Sequence, residues 1–294
     1  MLKFSVVTPN FNRADMLDAC VQSVLSQNYP DFEHIVVDGG STDGSLETLA
    51  KYAHLRLISG PDNGMYDALN KGVAASAGEI VVFLNTDDLL GEGAFHAAAP
   101  QFEDEEIFAA AGEALVFSVS GGEKKVLSRY SPLDSSLMEC STVGGNYFNA
   151  WFFRRSVFER VGVFDPNYRI AGDREFMFRF ALAGLKYAVL RQATYHYLHH
   201  AGSLTFDDEI GKRKKSADEH LKMTSVYLRD PRVSREARRL LRLLRSRAAL
   251  EMSIRYLKIR DFGNLFYYAL RGVGSEPFWL FKFISHALRR GKTA

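Results

Sequence analysis

Four short apolar runs alternate with segments of helical periodicity in the first part of the chain. The runs predict strands at residues 3–8, 33–37, 55–59 and 79–84. The first run predicts a buried strand, and the last, which is rich in β-branched residues, predicts a strand buried on both faces. The segments between them predict helices at residues 14–27, from Gly44 to about Tyr52, and at residues 65–77. Strands and helices that alternate at this spacing predict an α/β fold with a mostly parallel sheet and helices on both faces.

Carboxylates stand where two of these strands end. Asp38 follows the second strand, and Asp87 and Asp88 follow the fourth. In open α/β sheets, the carboxyl ends of the strands border the ligand crevice. Two adjacent anions are unfavourable unless a positive charge lies beside them, and a divalent cation with phosphate oxygens in its shell is the usual partner. The alternative is an ordinary polar turn after a strand.

The turns after these strands lack the glycine-rich loops that cradle phosphate in other nucleotide-binding proteins. Neither Gly-x-Gly-x-x-Gly nor Gly-Lys-Ser/Thr occurs there, which excludes the phosphate sites of dehydrogenases and P-loop enzymes. Carboxylates at positions where a phosphate is expected imply that a metal ion bridges the two.

Length and composition are those of an ordinary globular protein. The 294 residues, 47% hydrophobic and 24% charged, suffice for one large domain or a domain with an appendage. Two cysteines predict neither a disulfide framework nor a zinc site. The start runs directly into a strand and no apolar stretch reaches the length of a membrane span, so neither a signal peptide nor a spanning helix is predicted. A cytoplasmic location is therefore expected.

Charge divides the chain near residue 210. Residues 1–210 contain 16 Lys and Arg against 28 Asp and Glu, whereas residues 211–294 contain 21 against 7. The second half of the first region adds a predicted hairpin at residues 108–119 and 124–130 and closing strands at residues 186–190 and 194–198. Beyond it the pattern is helical. The sequence therefore predicts one domain over residues 1–210 and a basic helical region over residues 211–294 that faces something anionic.

Four blocks of sequence carry a resemblance to a known family. They are Ser5-Val-Val-Thr-Pro-Asn-Phe-Asn-Arg13, Val36-Val-Asp-Gly-Gly-Ser-Thr-Asp-Gly44, Asp62-Asn-Gly-Met-Tyr-Asp-Ala-Leu-Asn-Lys-Gly72, and the run from Gly78 that ends in Leu84-Asn-Thr-Asp-Asp88. Over roughly residues 3–205 the chain resembles the family 2 glycosyltransferases, which have the GT-A fold. Any one block is a weak signal, whereas four in this order and spacing are specific. The resemblance implies a GT-A catalytic domain over residues 1–210.

The resemblance also implies which residues bind the donor nucleotide. The matching residues at and beyond the end of the first strand are Thr8, Pro9, Asn10 and Arg13. Asp38 matches a carboxylate that accepts a hydrogen bond from the base, commonly uracil. The residues that match the loop and helix closing over the nucleotide are Asn63, Gly64, Asp67 and Lys71. A turn or capping role for Asp38 and a solvated position for Lys71 are the alternatives.

Asp87 and Asp88 match the Asp-x-Asp metal motif of the family, with Mg²⁺ or Mn²⁺ as the implied cofactor. Here the motif reads Asn85-Thr86-Asp87-Asp88, a departure that leaves open which carboxylate contacts the metal. Asp88 is favoured, with Asp87 nearer the ribose or the sugar. Residues 195–203 match a segment that returns a histidine toward the metal or the diphosphate. That match selects His199, although a lone histidine is more often structural.

Asp173 matches the catalytic base at the start of a helix predicted over residues 173–183. Family members often have an acidic residue immediately before this base, where the present chain has Gly172. Glu175 is the competing candidate, and the expected role for it is to pair with a basic residue or to support the first helical turn. The aromatic run Trp151-Phe152-Phe153 either stacks on a sugar or belongs to the core, the commoner role of such clusters.

The resemblance implies inverting transfer of a sugar from a nucleoside-diphosphate sugar, with UDP-sugars favoured, to a saccharide or lipid-linked saccharide in polysaccharide or cell-surface glycan synthesis. The metal would neutralise charge on the departing diphosphate while Asp173 takes the proton of the acceptor hydroxyl. One alternative is a nucleotidyltransferase, which needs a Gly/Lys-rich loop that residues 8–13 lack. Another is an inactive nucleotide-binding scaffold, against which the retention of all four aspartates argues.

The basic region predicts contact with an anionic membrane surface, and hence a peripheral position at the inner face of the cell membrane. One long helix carries Arg235 to Arg247 among leucines, and the apolar run Phe278–Ile284 contains Trp279 and is flanked by basic residues. Basic amphipathic helices with Trp and Phe suit such an interface. Alternatively, the apolar face packs on the catalytic domain or on a second subunit of a homo-oligomer. Nucleic acid is not predicted as a partner, because no readout motif accompanies the charge.

Overall fold

A computed structural model describes residues 1–120, 123–145, 147–200 and 209–275 of the chain. The chain divides into two compact units, one of residues 1–137 and 145–203 and the other of residues 138–144 and 204–294. The predicted division into two domains at residue 210 stays a prediction.

The first unit contains a sheet flanked by helices. Within the described ranges its strands are β1 (Phe4–Asn10), β2 (Phe32–Asp38), β3 (Leu55–Ser59), β4 (Ile80–Phe83), β5 (Leu89–Leu90), β6 (Ile107–Ser120), β7 (Glu123–Tyr130), β8 (Trp151–Arg154) and β9 (Lys186–Leu198). The helices that start in this unit are α1 (Ala14–Leu25), α2 (Ser45–Leu49), α3 (Met65–Ala75), α4 (Ala94–Ala98), α5 (Leu137–Cys140), α6 (Ser156–Arg160) and α7 (Gly172–Leu182).

The strands form one sheet in the order β3-β2-β1-β4-β8-β6-β9-β5, with β7 paired to β6. Strands β3, β2, β1 and β4 run parallel, as the alternation of strand and helix predicts. Strand β8 pairs antiparallel with β4 and β6, and β9 lies parallel to β6. The predicted α/β class is confirmed, and the parallel arrangement covers its first four strands. The second half is mixed, because connections without a crossover helix return the chain antiparallel.

Helices cover both faces of the parallel strands. Phe4 and Val6 of β1 and Val82 of β4 belong to a core cluster with residues of α1 and α4. Val7 of β1 and Phe83 of β4 belong to a second cluster with residues of α3, α6 and α7. Because successive side chains of a strand point to opposite faces, β1 and β4 each contribute side chains to both clusters. Each fully buried apolar side chain contributes about 1.5–3 kcal/mol to the free energy of folding.

Three predictions for the second half of this unit have different outcomes. The hairpin is confirmed by the antiparallel pairing of β6 with β7, whose Gly121-Gly122 turn lies outside the described residues. The two closing segments are strand, as predicted, but the predicted break between them is wrong, because Lys186–Leu198 is one strand whose pairing with β6 shifts in register beyond Val189. Polar residues that predict a loop there form an irregularity within the strand. The aromatic run Trp151–Phe153 is buried in the core.

The second unit is helical in its described part, as predicted. Its helices are α8 (Ile210–Tyr227), α9 (Arg235–Lys258) and α10 (Phe262–Val273). Ser234 caps α9 by accepting a hydrogen bond from the backbone N–H of Ala237, and Asp261 caps α10 in the same way. The helices share a core of Ala217, Leu221, Ala248, Met252, Tyr256, Leu265 and Tyr268. None of the helices in the described ranges is long and apolar enough to cross a membrane. The run Phe278–Ile284 lies outside those ranges.

Candidate active site

The carboxyl ends of the parallel strands bring the predicted donor residues of β1 and β2 together. Asn10 of β1 lies opposite Asp38 of β2, and Asp38 lies opposite Ser59 of β3. The turn after β4 joins this edge, because the Thr86 hydroxyl donates a hydrogen bond to the carbonyl oxygen of Pro9 over 2.7 Å. Four neighbouring strands therefore contribute to one rim of the sheet.

Asp38 is fully buried and organises the turn that follows β2. Asn10 Nδ2 donates to its Oδ1 over 2.7 Å, while the backbone N–H groups of Gly40 and Ser41 donate to Oδ2 over 3.1 and 3.0 Å. The hydroxyls of Ser41 and Ser59 also donate to this carboxylate. Burial alone would raise the pKa of Asp38, but these hydrogen bonds outweigh it and hold the pKa below its usual value. The ionised carboxylate therefore fixes the turn.

The other predicted residues of the first strand end have different surroundings. Thr8 is fully buried, and its Oγ1 lies 2.9 Å from Nε2 of His34. Asn10 Oδ1 is buried and accepts no hydrogen bond within the described residues. Arg13 is half-buried at the start of α1, where its backbone N–H donates to the Ser45 hydroxyl. Thr8 and Asn10 are therefore both buried, whereas Arg13 is partly exposed.

The predicted nucleotide loop forms a connected group before and within α3. The backbone N–H of Asn63 donates to Asp67 Oδ2 over 3.0 Å, and Lys71 Nζ lies 3.3 Å from the same oxygen. Lys71 also donates to the carbonyl oxygen of Pro61. Gly64 has φ 109°, a left-handed conformation that favours glycine. The hydrogen bond from Asn63 and the charge of Lys71 lower the pKa of Asp67. The structure thus brings Asn63, Gly64, Asp67 and Lys71 together.

Asp87 and Asp88 are adjacent in sequence but have opposite surroundings. Asp88 is 1% exposed and accepts hydrogen bonds from the Tyr195 hydroxyl, from the backbone N–H of Leu198 over 2.8 Å and from Asn85 Nδ2 over 3.3 Å. Burial, and after it the neighbouring charge of Asp87, raises the pKa of Asp88 well above its usual value. The side chain of Asp87 is 22% exposed. Asp88 therefore ties the turn to β9, whereas Asp87 faces the rim.

The imidazole in contact with Asp87 belongs to His200. His200 Nε2 lies 3.0 Å from Asp87 Oδ2. His199 is exposed, and its backbone N–H donates to the carbonyl oxygen of Phe117. No group of three or more His, Cys, Asp or Glu side chains suited to hold a metal occurs in the described part of the chain.

Asp173 lies half-buried in the first turn of α7. The Tyr66 hydroxyl and the backbone N–H of Arg174 donate to its Oδ1 over 3.1 and 2.7 Å. Burial raises the pKa of Asp173, although the charge of Arg174 and these hydrogen bonds oppose the shift. A carboxylate with a raised pKa is suited to accept a proton near neutral pH.

Glu175, the competing candidate for the base, is engaged in an ion pair. It is 3% exposed, and Arg179 Nε and Nη2 donate to its two oxygens over 2.8–3.0 Å. Arg179 also donates to the carbonyl oxygens of Gly162 and Val163, which anchors the loop after α6. Glu175 therefore pairs with a basic residue, Arg179, as expected, and supports the structure around α7.

Three side chains at this site were not assigned a role from the sequence. They are Tyr66 beside Asp173, Tyr195 beside Asp88, and His200 beside Asp87. Each contact joins residues more than 100 positions apart, so no local pattern signals it. For His200 the adjacent pair His199-His200 was a partial signal.

Solved glycosyltransferases share this fold. The chain aligns with S. aureus TarS 1–349 in complex with UDP-GlcNAc at a TM-score of 0.59 and 18% identity, over 90% of this chain and 89% of that one. It spans 54% of a longer TarS structure. For the mannosyltransferase PcManGT from Pyrobaculum calidifontis, in complex with GDP-Man and Mn²⁺, the TM-score is 0.56 at 18% identity, over 98% and 87% of the chains. The chain is therefore a protein of the GT-A fold, as predicted.

Sequence comparison gives the family. The family model described as "Glycosyl transferase family 2" matches residues 5–162, more than half of the chain. The PGL/p-HBAD biosynthesis glycosyltransferase of Mycobacterium tuberculosis is 32% identical over 186 residues, which make up 60% of this chain and 68% of that relative. The chain belongs to glycosyltransferase family 2 and is a glycosyltransferase, which confirms the predicted family.

Proposed function

We propose that the chain is an inverting glycosyltransferase that moves a sugar from a UDP-sugar to a saccharide or lipid-linked saccharide in polysaccharide or cell-surface glycan synthesis. The observation that carries the proposal is the rim where β1, β2 and β4 end, which holds Asp38 and Asp87, together with the proton-accepting environment of Asp173. Donor use is supported by the folds of TarS, solved with UDP-GlcNAc, and of PcManGT, solved with GDP-Man.

The donor nucleotide binds at the ends of β1 and β2. Asn10 Oδ1 is a buried acceptor with no donor in the described residues, and a ring N–H of the base supplies the missing hydrogen bond. Asp38 holds Asn10 and the turn after β2 in place. Thr8 supports this strand end from inside the sheet, while Pro9 and Arg13 border it. The loop with Asn63, Gly64, Asp67 and Lys71 closes the site on the β3 side.

A divalent cation, Mg²⁺ or Mn²⁺, fits the turn after β4. Two neighbouring carboxylates, one of them with a pKa raised by burial and then by the charge of the other, form a site that a cation stabilises. Asp87 Oδ1 accepts no hydrogen bond within the described residues, whereas both oxygens of Asp88 do. We therefore place the direct contact at Asp87, with His200 beside it, and keep Asp88 and His199 as the alternative. When bound, the ion neutralises charge on the leaving diphosphate.

Asp173 acts as the general base. The acceptor hydroxyl gives its proton to the carboxylate as its oxygen forms a bond to the anomeric carbon from the face opposite the leaving group. The bond between that carbon and the diphosphate oxygen breaks, and the nucleoside diphosphate leaves with the electron pair. A single displacement inverts the configuration at the anomeric carbon.

The test compares Asp173→Asn with a control on a nearby helix, Glu159→Gln, whose side chain is exposed. A panel of nucleotide sugars first identifies the donor by metal-dependent release of the nucleoside diphosphate. Asp173→Asn should lower kcat by about 10²–10⁴-fold, because it removes the proton acceptor, and leave the affinity for UDP unchanged. If Asp173→Asn keeps the kcat of the parent, the proposed mechanism is wrong. If NMR shows that the product has the same anomeric configuration as the donor, transfer is not inverting.

The second unit contacts an anionic membrane surface near a lipid-linked acceptor. Helix α10 exposes a stripe of apolar residues at helical spacing: Phe262, Phe266, Leu270 and Val273. Basic residues outnumber acidic ones threefold over residues 211–294. An apolar helix face combined with such an excess of positive charge complements an anionic leaflet, where each nearby Lys or Arg contributes about 1 kcal/mol.

Sedimentation with vesicles of phosphatidylserine and phosphatidylcholine tests this contact. The parent should pellet with the vesicles and be partly released by salt, whereas the double variant Phe266→Ser, Leu270→Ser should stay in solution. Val226→Ser, which removes an exposed apolar side chain from α8, serves as the matched control. If the parent does not sediment with anionic vesicles, the membrane proposal is wrong. A lower molecular mass of the double variant than of the parent in light scattering would then indicate that this face forms a homo-oligomer.

A further inference from the structure

Tyr66 joins the donor loop to the helix that carries the base. It is the second residue of α3, directly after the loop with Asn63 and Gly64, and it is 4% exposed. Its Oη lies 3.1 Å from two acceptors, the carbonyl oxygen of Ile170 just before α7 and Oδ1 of Asp173 in the first turn of α7. The donor loop and the start of α7 are thus linked through one hydroxyl group.

Gly172 makes this arrangement sterically possible. A Cβ at Gly172 would lie 2.7 Å from both Cδ2 and Cε2 of the Tyr66 ring, closer than real Cβ contacts allow. The backbone of Gly172 is not in the left-handed region, so its conformation alone does not require glycine. The side chain of Tyr66 is therefore the physical reason for glycine immediately before Asp173.

A tyrosine hydroxyl has one proton to donate, and here it has two acceptors. When Asp173 is ionised, the charge-assisted bond to its carboxylate is the stronger one. Once Asp173 has taken a proton, its carboxyl group is the weaker acceptor, and the Tyr66 hydroxyl forms its stronger hydrogen bond with the Ile170 carbonyl oxygen. Neither state leaves the buried hydroxyl without a partner, which keeps the energetic penalty of proton uptake small.

We propose that Tyr66 is a positioning residue for the base. Its hydroxyl orients the Asp173 carboxylate while Asp173 is ionised, and it donates to the Ile170 carbonyl oxygen once Asp173 is protonated. The inference rests on the proposed role of Asp173 and assigns a function to a residue of the donor side of the site. Among the described groups, the charged neighbour of Asp173 is Arg174, on the same helix, and Tyr66 is the neighbour from α3. Both favour the ionised carboxylate, so loss of the Tyr66 hydroxyl raises the pH at which Asp173 becomes a base.

The experiment measures the pH dependence of kcat/KM for UDP release from the UDP-sugar identified by the donor panel. Tyr66→Phe removes one hydroxyl and keeps the ring. Its kcat should fall about tenfold and its acidic limb should move up by about one pH unit, as loss of a hydrogen bond to a charged group predicts, with unchanged affinity for UDP. The matched control is Tyr29→Phe, because Tyr29 is also buried and its hydroxyl donates to a backbone oxygen, that of Leu2, over 3.1 Å.

Substitution of Gly172 gives an independent arm. Gly172→Ala should displace the Tyr66 ring and reproduce the shifted acidic limb, whereas in a Tyr66→Ala background the same substitution should have little further effect. If the acidic limb of the pH profile does not shift in Tyr66→Phe while Asp173→Asn loses activity, the role of Tyr66 is overturned and the role of Asp173 as the base stands. Full activity in Asp173→Asn overturns both proposals. A shift in Tyr29→Phe equal to that in Tyr66→Phe also refutes the inference, since it marks a general loss of stability.

Discussion

His34 makes the stability of the fold depend on pH in a way that can be calculated. It lies in the middle of β2 with no exposed surface, and its Nε2 is 2.9 Å from Thr8 Oγ1. Its Nδ1 is buried without a hydrogen-bond partner in the described residues. Burial, and to a smaller extent the charge of His54, lowers the pKa of His34 to about 3. A protonated His34 would place an unpaired N–H and a charge inside the sheet.

The sign follows from comparing the two states. The unfolded chain takes up a proton on His34 near pH 6.5, whereas the folded chain resists it until about pH 3. Between these values the unfolded state binds more protons, so the free energy of unfolding falls as the pH falls. The free energy of unfolding lost through this one residue is about 1 kcal/mol at pH 6 and about 2 kcal/mol at pH 5, and it approaches about 5 kcal/mol below pH 3.

Urea unfolding of the parent and of His34→Gln at pH 7.5 and pH 5 tests this calculation. Glutamine keeps an amide near the position of Nε2 but does not titrate, so other ionisable groups cancel in the comparison. Between pH 7.5 and pH 5, the free energy of unfolding of the parent should fall by about 2 kcal/mol more than that of His34→Gln. His96→Gln, which removes an exposed histidine, should behave like the parent. Equal losses in the parent and in His34→Gln would refute the reasoning.

Two further predictions concern the carboxylates around the site. Glu175→Ala removes the buried carboxylate that pairs with the partly buried Arg179, which keeps only its backbone carbonyl acceptors, and should lower the free energy of unfolding by about 2–3 kcal/mol. Glu251→Ala removes an exposed carboxylate from a pair at the same helical spacing and should lower it by less than about 1 kcal/mol in the same urea titration. Asp87→Asn should abolish the Mn²⁺ dependence of UDP binding measured by calorimetry, while Asp88→Asn should mainly reduce the melting temperature; the opposite pattern would return the metal contact to Asp88.

The part of the fold that the sequence predicts is the part set by local pattern. Strands β1, β2 and β4 are largely buried, and β3 is a partly exposed strand at the edge of the sheet. Single helices separate these four strands, so their composition and spacing suffice to predict them. Strand β9 was divided in two because Arg191 and Gln192 interrupt its apolar pattern, and only its pairing with β6 keeps the chain extended across that point. Position in the sheet overrides local composition there, and such pairing is not visible in a single segment.

The site follows the same division. Asp38 was predicted to border the ligand crevice because it follows a predicted strand, whereas the donor-binding roles of Asn10 and of the loop from Asn63 to Lys71 were implied by the family resemblance. The partner of Asp173 was not predicted, since Tyr66 comes from a helix 107 positions earlier. Gly172 was recognised only as a departure from the family pattern. The ring of Tyr66 supplies its physical reason, which no inspection of residues 171–173 alone reveals.

The adjacent pair Asp87-Asp88 shows why identical neighbours need a structure before they can be given separate roles. Sequence favoured Asp88 for the metal, yet three donors reach Asp88, and two of them, Tyr195 and Leu198, come from β9. A carboxylate committed to those donors must exchange hydrogen bonds for metal coordination, whereas Asp87 has an oxygen without a donor in the described part of the chain. The smaller rearrangement is needed at Asp87, and that difference is the physical basis for placing the metal contact there.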